Sequence, residues 1–327
     1  MLSSMNVTVI PFLLGAVMSV KDVTQWNFGP EYVFQLNKTT IVFKNRIEFQ
    51  DITAKVNCRP KVSSQNTLLC HAHEIIISML KRRMYKTIRT NTITRIKGII
   101  PLVVSNKMSD QLFEIQFGRQ GVQSVQGVKV ETRRKQAHHY DSVTDIVEQF
   151  HIGIDLSVAA GESMKNYENV KSGSHVISSF PQNEDTTRAK CSTSCIITYT
   201  PANKCNKNGE FKVRRNKMKF DFHLRLLPIS YTNPNSKTFS IKRTRMTCTH
   251  QPQYLTLFDE KWKIRNMTEY FNKMEIHDKK PRFTSHTHLE GNVFFPRNMH
   301  AYYFSEDVYL HLLRIRPAQN NNTAEYE

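Results

Sequence analysis

Past its first twenty residues the chain has no apolar run approaching the ~20 residues a membrane-spanning helix needs, so no helical anchor is expected in the mature protein. No HExxH, GxSxG, phosphate-binding P-loop or glycine-rich dinucleotide fingerprint occurs. The metalloprotease, serine-hydrolase, NTPase and dehydrogenase readings therefore fall away, and the chain reads as non-catalytic. The six cysteines contain no CxxC unit, which argues against a four-cysteine zinc site. Glycine and proline are sparse, at 11 and 12 residues, so a β-rich chain of this kind must have long strands or polar loops. Acidic residues are outnumbered as well, 28 Asp plus Glu against 46 Lys plus Arg.

What is present begins with Val7 to Val20, a mostly apolar stretch of signal-peptide length ending in small residues around Ala16 and Ser19. Its n-region lacks Lys and Arg and Pro11 interrupts it; the competing reading is a buried N-terminal strand. The expected organisation is a signal peptide over 1–19, one domain over 20–317 and a polar disordered tail over 318–327, in a secreted, extracellular protein. Asn37, Asn266 and Asn321 then open N-glycosylation sequons. In an oxidising compartment Cys58, Cys70, Cys191, Cys195, Cys205 and Cys248 form an even set available for bridges, and sequence alone does not choose the pairing. Cys58 and Cys70 flank the loop SSQN nearly opposite one another, so a cross-strand bridge is feasible there. Cys205 follows Cys195 beyond a turn-like segment and is its expected partner, with Cys191 to Cys205 as an open alternative.

A formal charge of +18 directs a secreted chain toward acidic surfaces. The cations gather in KRRMYK, RRK, KVRRNKMK and KRTR. The last two supply the candidate contacts Lys212, Arg214, Arg215, Lys217, Lys219, Lys242, Arg243 and Arg245 for a receptor or an anionic surface. The bland alternative is that these charges solvate a sheet edge and discourage edge pairing. A nucleic-acid partner is not expected, because FKVRRNKMKFDFHLRL carries only a hint of the interleaved aromatics a stacking platform requires, and secretion argues against it.

Alternating apolar and polar residues in EYVFQLNKTTIVFKNRIEFQDITAKVNC, TLLCHAHEIIISML, LFEIQFG and TFSIKRTRM predict half-buried antiparallel strands in one continuous, curved sheet. One stretch has helical spacing instead. In HYDSVTDIVEQFHIGIDL, Val143, Ile146, Val147, Phe150 and Ile154 share a face, Asp141 or Ser142 can cap the start, and Asp145 favours the first turn. A single apolar-faced helix among many strands predicts a mainly β fold, a β-barrel or curved sheet wrapped around a central helix.

The blocks WNFGPEYVFQL, LFEIQFGRQGVQSV, DSVTDIVEQFHIGIDL, SFPQNEDTTRAKCSTSCIITYT and FSIKRTRMTCTHQ, in that order, resemble the N-terminal module of vitellogenins. The resemblance runs from about Trp26 to Pro317 and implies a β-barrel around a central helix. It also implies a bridge between Cys191 and Cys248; Cys195 departs from the family pattern. By family it implies lipid transport, with lipid as the only bound group to be considered and no other cofactor. In vitellogenins this module leads into a helical arch and lipid-enclosing sheets, whereas this chain stops at Glu327. The expectation is a short vitellogenin-like protein reduced to the recognition module, which in the family meets a receptor of the low-density-lipoprotein-receptor type. The alternative is a cationic secreted protein that binds anionic membranes or pathogen surfaces without transporting lipid.

Two histidine pairs, His71 with His73 and His286 with His288, place imidazoles at i and i+2 on one strand face, which permits two metal ligands per pair. No carboxylate stands nearby at ligand spacing, so no metal site is assigned from sequence. His138 and His139 read as a loop before the helix.

Overall fold

The computed structural model describes residues 3–10, 14–20, 28–44, 46–61, 64–83, 102–107, 109–118, 121–127, 142–153, 175–185, 190–201, 222–226, 236–249, 254–257, 260–277, 282–295 and 298–318. The elements are β1 (Ser3–Ile10), β2 (Leu14–Val20), β3 (Pro30–Phe43), β4 (Arg46–Lys61), β5 (Ser64–Arg83), β6 (Leu102–Lys107), β7 (Gln111–Gly118), β8 (Gly121–Gly127), α1 (Ser142–Phe150), β9 (His175–Asp185), β10 (Lys190–Pro201), β11 (Phe222–Leu226), β12 (Ser236–Thr249), β13 (Tyr254–Leu257), β14 (Glu260–His277), β15 (Arg282–Phe295) and β16 (Asn298–Pro317). Thirteen strands form one antiparallel sheet in the order β8-β7-β5-β4-β3-β16-β15-β14-β12-β10-β9, with β6 added to β5 and β13 to β14. The stretch with signal-peptide character forms β1 and β2, which pair with each other and with β11 in a separate three-stranded sheet.

The alternation read from sequence sets the two faces of the large sheet. In β3, Tyr32, Phe34 and Leu36 are fully buried while Gln35, Asn37 and Thr39 are only half-buried. Strands β5 and β16 each run for 20 residues, or ~66 Å at ~3.3 Å per residue, a length over which the right-handed twist coils the sheet. Where β5 passes from pairing with β7 to pairing with β6, Glu74 takes a positive φ of 51° as a bulge. That extra residue resets the alternation, so that Ala72 and Ile75 both face the core.

Helix α1 lies on the inner face. Ile146, Val147, Phe150 and Ile152 are buried in the main core and Val143 packs against it. Phe150 meets Phe34 edge-on at 5.3 Å, Phe117 at 6.4 Å and stacks on Phe283 at 6.1 Å, contacts reaching β3, β7 and β15. Ile154, the last predicted face residue, lies outside the described residues, as do Asp141 and residues 319–327 of the expected tail. Ala318, the first residue of that tail, is instead buried and donates its amide to the Gly29 carbonyl at 2.9 Å.

The curved sheet around one helix is as expected, but it is not closed into a barrel: among the described residues its end strands β8 and β9 do not pair with each other. The turn after α1 stands at both edges instead. A side chain at Gly121 of β8 would approach the Ile152 amide to 2.7 Å, and one at Gly153 would approach Glu184 of β9 to 2.7 Å. Both glycines have positive φ, and their missing side chains let the two edges converge on His151–Gly153.

Two disulfides cross neighbouring strands. Cys58 bonds Cys70, its register partner between β4 and β5, and Cys191 bonds Cys248 between β10 and β12, which overturns the alternative of Cys191 with Cys205. Cys195 is buried; its expected partner Cys205 lies outside the described residues. The bridges close loops of 12 and 57 positions, worth roughly 3 and roughly 4 kcal/mol on the chain-entropy model. Because the longer loop restrains more of the unfolded chain, C191A/C248A should raise the urea m-value more than C58A/C70A does. Equal m-values for the two variants would contradict this assignment of the stabilisation to the unfolded state.

Candidate functional site

The helix has a polar face as well as an apolar one, and that face is buried too. Asp145, Glu148 and Gln149 are all under 5% exposed, so each needs a partner on the sheet. Lys38 lies 2.9 Å from Asp145 and 3.0 Å from Glu306. Arg245 lies 2.7 Å from Glu148, which also accepts from the Tyr270 hydroxyl at 3.1 Å. Gln149 donates to Thr287 at 2.9 Å and accepts from Ser285 at 3.0 Å. Glu184 on β9 closes the set. It accepts from Arg243 at 2.6 Å, from two nitrogens of Arg245 at 3.0 Å and from Thr193 at 2.8 Å. Burial alone would raise the Glu184 carboxyl, but the two guanidinium charges and these hydrogen bonds outweigh it and hold it down at about 2.

This network corrects one reading of the sequence. In the KRTR cluster only Lys242 is exposed. Arg243 and Arg245 share the parity of Ile241, face inward and neutralise Glu184 and Glu148, so they offer no charge to a partner in solution. Lys212, Arg214, Arg215, Lys217 and Lys219 lie outside the described residues. Of the sequons, Asn37 is half-buried on β3, Asn266 is exposed on β14 with its side-chain oxygen accepting from Asn292 at 3.0 Å, and Asn321 lies outside the described residues.

On the outer face, register aligns residues from distant segments. One row crosses β10, β12, β14, β15, β16 and β3 as Ile196, Lys242, Lys273, His286, Tyr309 and Asn37. The next runs through Thr244, Phe271, His288, Asp307 and Thr39. Lys242 stands 5.2 Å over the Phe271 ring, and Lys273 lies 2.5 Å from Glu275.

At the centre of these rows, His286 Nε2 is 2.7 Å and His288 Nδ1 is 2.9 Å from the same oxygen, Oδ1 of Asp307. The second ring nitrogen of His288, Nε2, is 3.3 Å from Glu290, which accepts a hydrogen bond from the Tyr303 hydroxyl. The rings are fixed by their neighbours: His286 stacks on Tyr309 at 4.0 Å, and Phe271 lies 5.4 Å from His286 and 5.2 Å from His288. Partial burial pushes the Asp307 carboxyl up, yet the hydrogen bonds and charge of the two histidines prevail and hold it below the usual carboxylate range. Two imidazole nitrogens and a carboxylate oxygen converging on one point can share protons or hold a cation.

Asp307 escaped the sequence reading because it is distant in the chain from the histidines and reaches them only across β15 and β16. Glu290, two residues after His288 on the same strand face, corrects the expectation that no carboxylate stands at ligand spacing. The other pair gathers less. His71 is 3.2 Å from Asp110 and His73 is 3.7 Å from Glu74, whereas among the described residues every group of three metal-capable side chains includes His288.

No protein-family model matches the chain, and no curated protein matches it. It is similar to a solved structure of lipovitellin, described for its lipid–protein interactions, with 9% identity, a TM-score of 0.38, and coverage of 90% of this chain and 26% of the lipovitellin chain. The chain thus spans about a quarter of the lipovitellin chain it matches.

Proposed function

We propose that this chain is a secreted, non-catalytic, vitellogenin-like module that binds an acidic protein receptor of the low-density-lipoprotein-receptor type through solvent-facing lysines, rather than enclosing lipid. The observation that carries this reading is the helix docked on the inner face of the sheet. Helix α1 occupies the inner face with both its apolar and its polar side, so recognition falls to the outer face. A cleft beside Arg245, Cys248, Asn266 and Tyr270 has a volume of about 370 Å³, which is small-ligand size and not that of a lipid particle. Lys242, exposed and opposite Lys273, is an ammonium beside an aromatic ring on the outer face. Acidic, calcium-caging repeats are the partner such lysines suit, and the net charge of +18 adds long-range steering. The five sequence blocks that resemble the vitellogenin module supply the family context for this partner class.

Binding to immobilised acidic receptor repeats tests the reading. Affinity should fall steeply from low to physiological salt, vanish when EDTA strips calcium from the repeats, and drop several-fold in a K217E/K219E/K242E variant. Binding that ignores both salt and the charge reversals would refute it. Retention on phosphatidylserine vesicles in EDTA, with none on the repeats, would identify the anionic-membrane alternative instead.

A further inference from the structure

We propose that His286, His288 and Asp307 form a binding site for a divalent transition-metal ion of the zinc class on the outer face of the large sheet. The site is independent of the receptor reading and rests on its own geometry.

Donor chemistry comes first. Two imidazoles and one carboxylate are the ligand types that zinc and similar borderline ions select, and three protein ligands leave a coordination position for water or a fourth donor. The ligand atoms all lie within 4.8 Å of one another, and both histidine nitrogens already aim at Asp307 Oδ1, at 2.7 and 2.9 Å. Metal–ligand bonds of ~2.0–2.2 Å put tetrahedral ligands roughly 3.3 Å apart, so the cluster needs only small ring rotations to admit the ion. The ion would take the place of the protons that now join the two rings to the carboxylate.

Tautomer and support agree with this. With Nδ1 of His288 on the metal, its proton sits on Nε2, which faces Glu290 at 3.3 Å. Glu290 is in turn held by the Tyr303 hydroxyl. A metal-bound histidine whose other nitrogen donates to an anchored carboxylate is the outer-shell arrangement that fixes ring orientation and strengthens the ligand. The His286 ring is clamped against Tyr309, and all three ligands stand on adjacent strands, β15 and β16, whose backbones are paired through this region. The side chains of His286, His288 and Asp307 are 22%, 15% and 31% exposed, so an ion can enter from solvent without unfolding the sheet.

The test uses the full chain, stripped with EDTA and dialysed. Zinc chloride titrated by calorimetry should bind at about one ion per chain, and cobalt(II) should give the intense visible absorption of a low-coordinate site. Asp307→Asn keeps the side-chain shape and, like His288→Asn, should weaken zinc binding at least ~100-fold. Glu290→Gln should weaken it ~10- to 100-fold. His73→Asn, in the other pair, should leave it unchanged. Circular dichroism of the metal-free variants confirms folding, and Asp307→Asn decides the matter if His288→Asn is unstable. Absence of zinc uptake at millimolar zinc, or uptake that survives both Asp307→Asn and His288→Asn, would overturn the proposal.

Discussion

Replacing Glu184 by Gln will lower the unfolding free energy by about 3–5 kcal/mol, the range for removing one partner of a buried ion pair, and will flatten the acid limb of the stability profile. Glu184 is the only carboxylate that meets both Arg243 and Arg245 within hydrogen-bond distance among the described residues. Glutamine keeps the shape but leaves two buried guanidiniums facing a neutral amide, with Glu148 the remaining anion beside Arg245. The pH dependence follows from the depressed carboxyl. Its folded value of about 2 lies below the ordinary 4.5, so the unfolded chain binds the proton more tightly. The stabilisation is complete above about 4.5 and is lost as pH falls toward about 2. The Gln variant should therefore lose most at neutral pH and converge on the parent near pH 2, as followed by urea denaturation across that interval. A parallel offset between the two profiles over that interval would show that Glu184 acts through packing and not through charge. Because buried ion pairs lose much of their attraction to desolvation, a joint replacement of Glu184, Arg243 and Arg245 by apolar residues should be far milder than Glu184→Gln alone.

How much of this could be read from the chain depends on the range of the interaction that decides it. Local periodicity located α1 and its apolar face, because burial at three- and four-residue spacing is written within nine residues. Periodicity of two located the strands and the curved sheet. The inward course of Arg243 and Arg245 was also legible, since both share the parity of Ile241, but proximity in sequence grouped them with Lys242. That the polar side of α1 is buried could not be inferred from the helix, because its partners Lys38, Tyr270 and Thr287 come from β3, β14 and β15. The His–Asp cluster illustrates a subtler limit. Counting back from the pair Phe295 and Asn298 would set His288 opposite Ser305, but an irregularity between Phe294 and Phe295 shifts the register by two and brings Asp307 there instead. One bulge thus decides whether the histidines meet a hydroxyl or a carboxylate. Barrel closure was similarly out of reach, because the edges β8 and β9 meet the turn after α1 and not, among the described residues, each other.

That arrangement makes the helix the part on which the inner core most depends, and Val147→Asp will prevent folding or destabilise the chain by more than about 5 kcal/mol. Val147 is 3% exposed and belongs to the main core cluster with Phe34, Phe117 and Phe283. The substitution forfeits about 1.5–3 kcal/mol of apolar burial and places a carboxylate on the apolar side of the helix. The cations buried among the described residues, Lys38, Arg243 and Arg245, are on the other side, already committed to Asp145, Glu148 and Glu184. Protonation could spare the new side chain its charge but not the loss of hydration. Val143→Asp provides the contrast. Val143 is only half-buried and lies in the first turn, where a negative charge interacts favourably with the helix dipole, so its replacement should cost a small fraction as much. If α1 undocks, the turn at His151–Gly153 leaves the two sheet edges with it, and β8 and β9 should become the first sites of proteolytic nicking. Expression yield, thermal melting and limited proteolysis of the two variants read these outcomes together. A Val147→Asp protein that melts with the parent and resists protease equally would mean that the helix does not anchor the inner core.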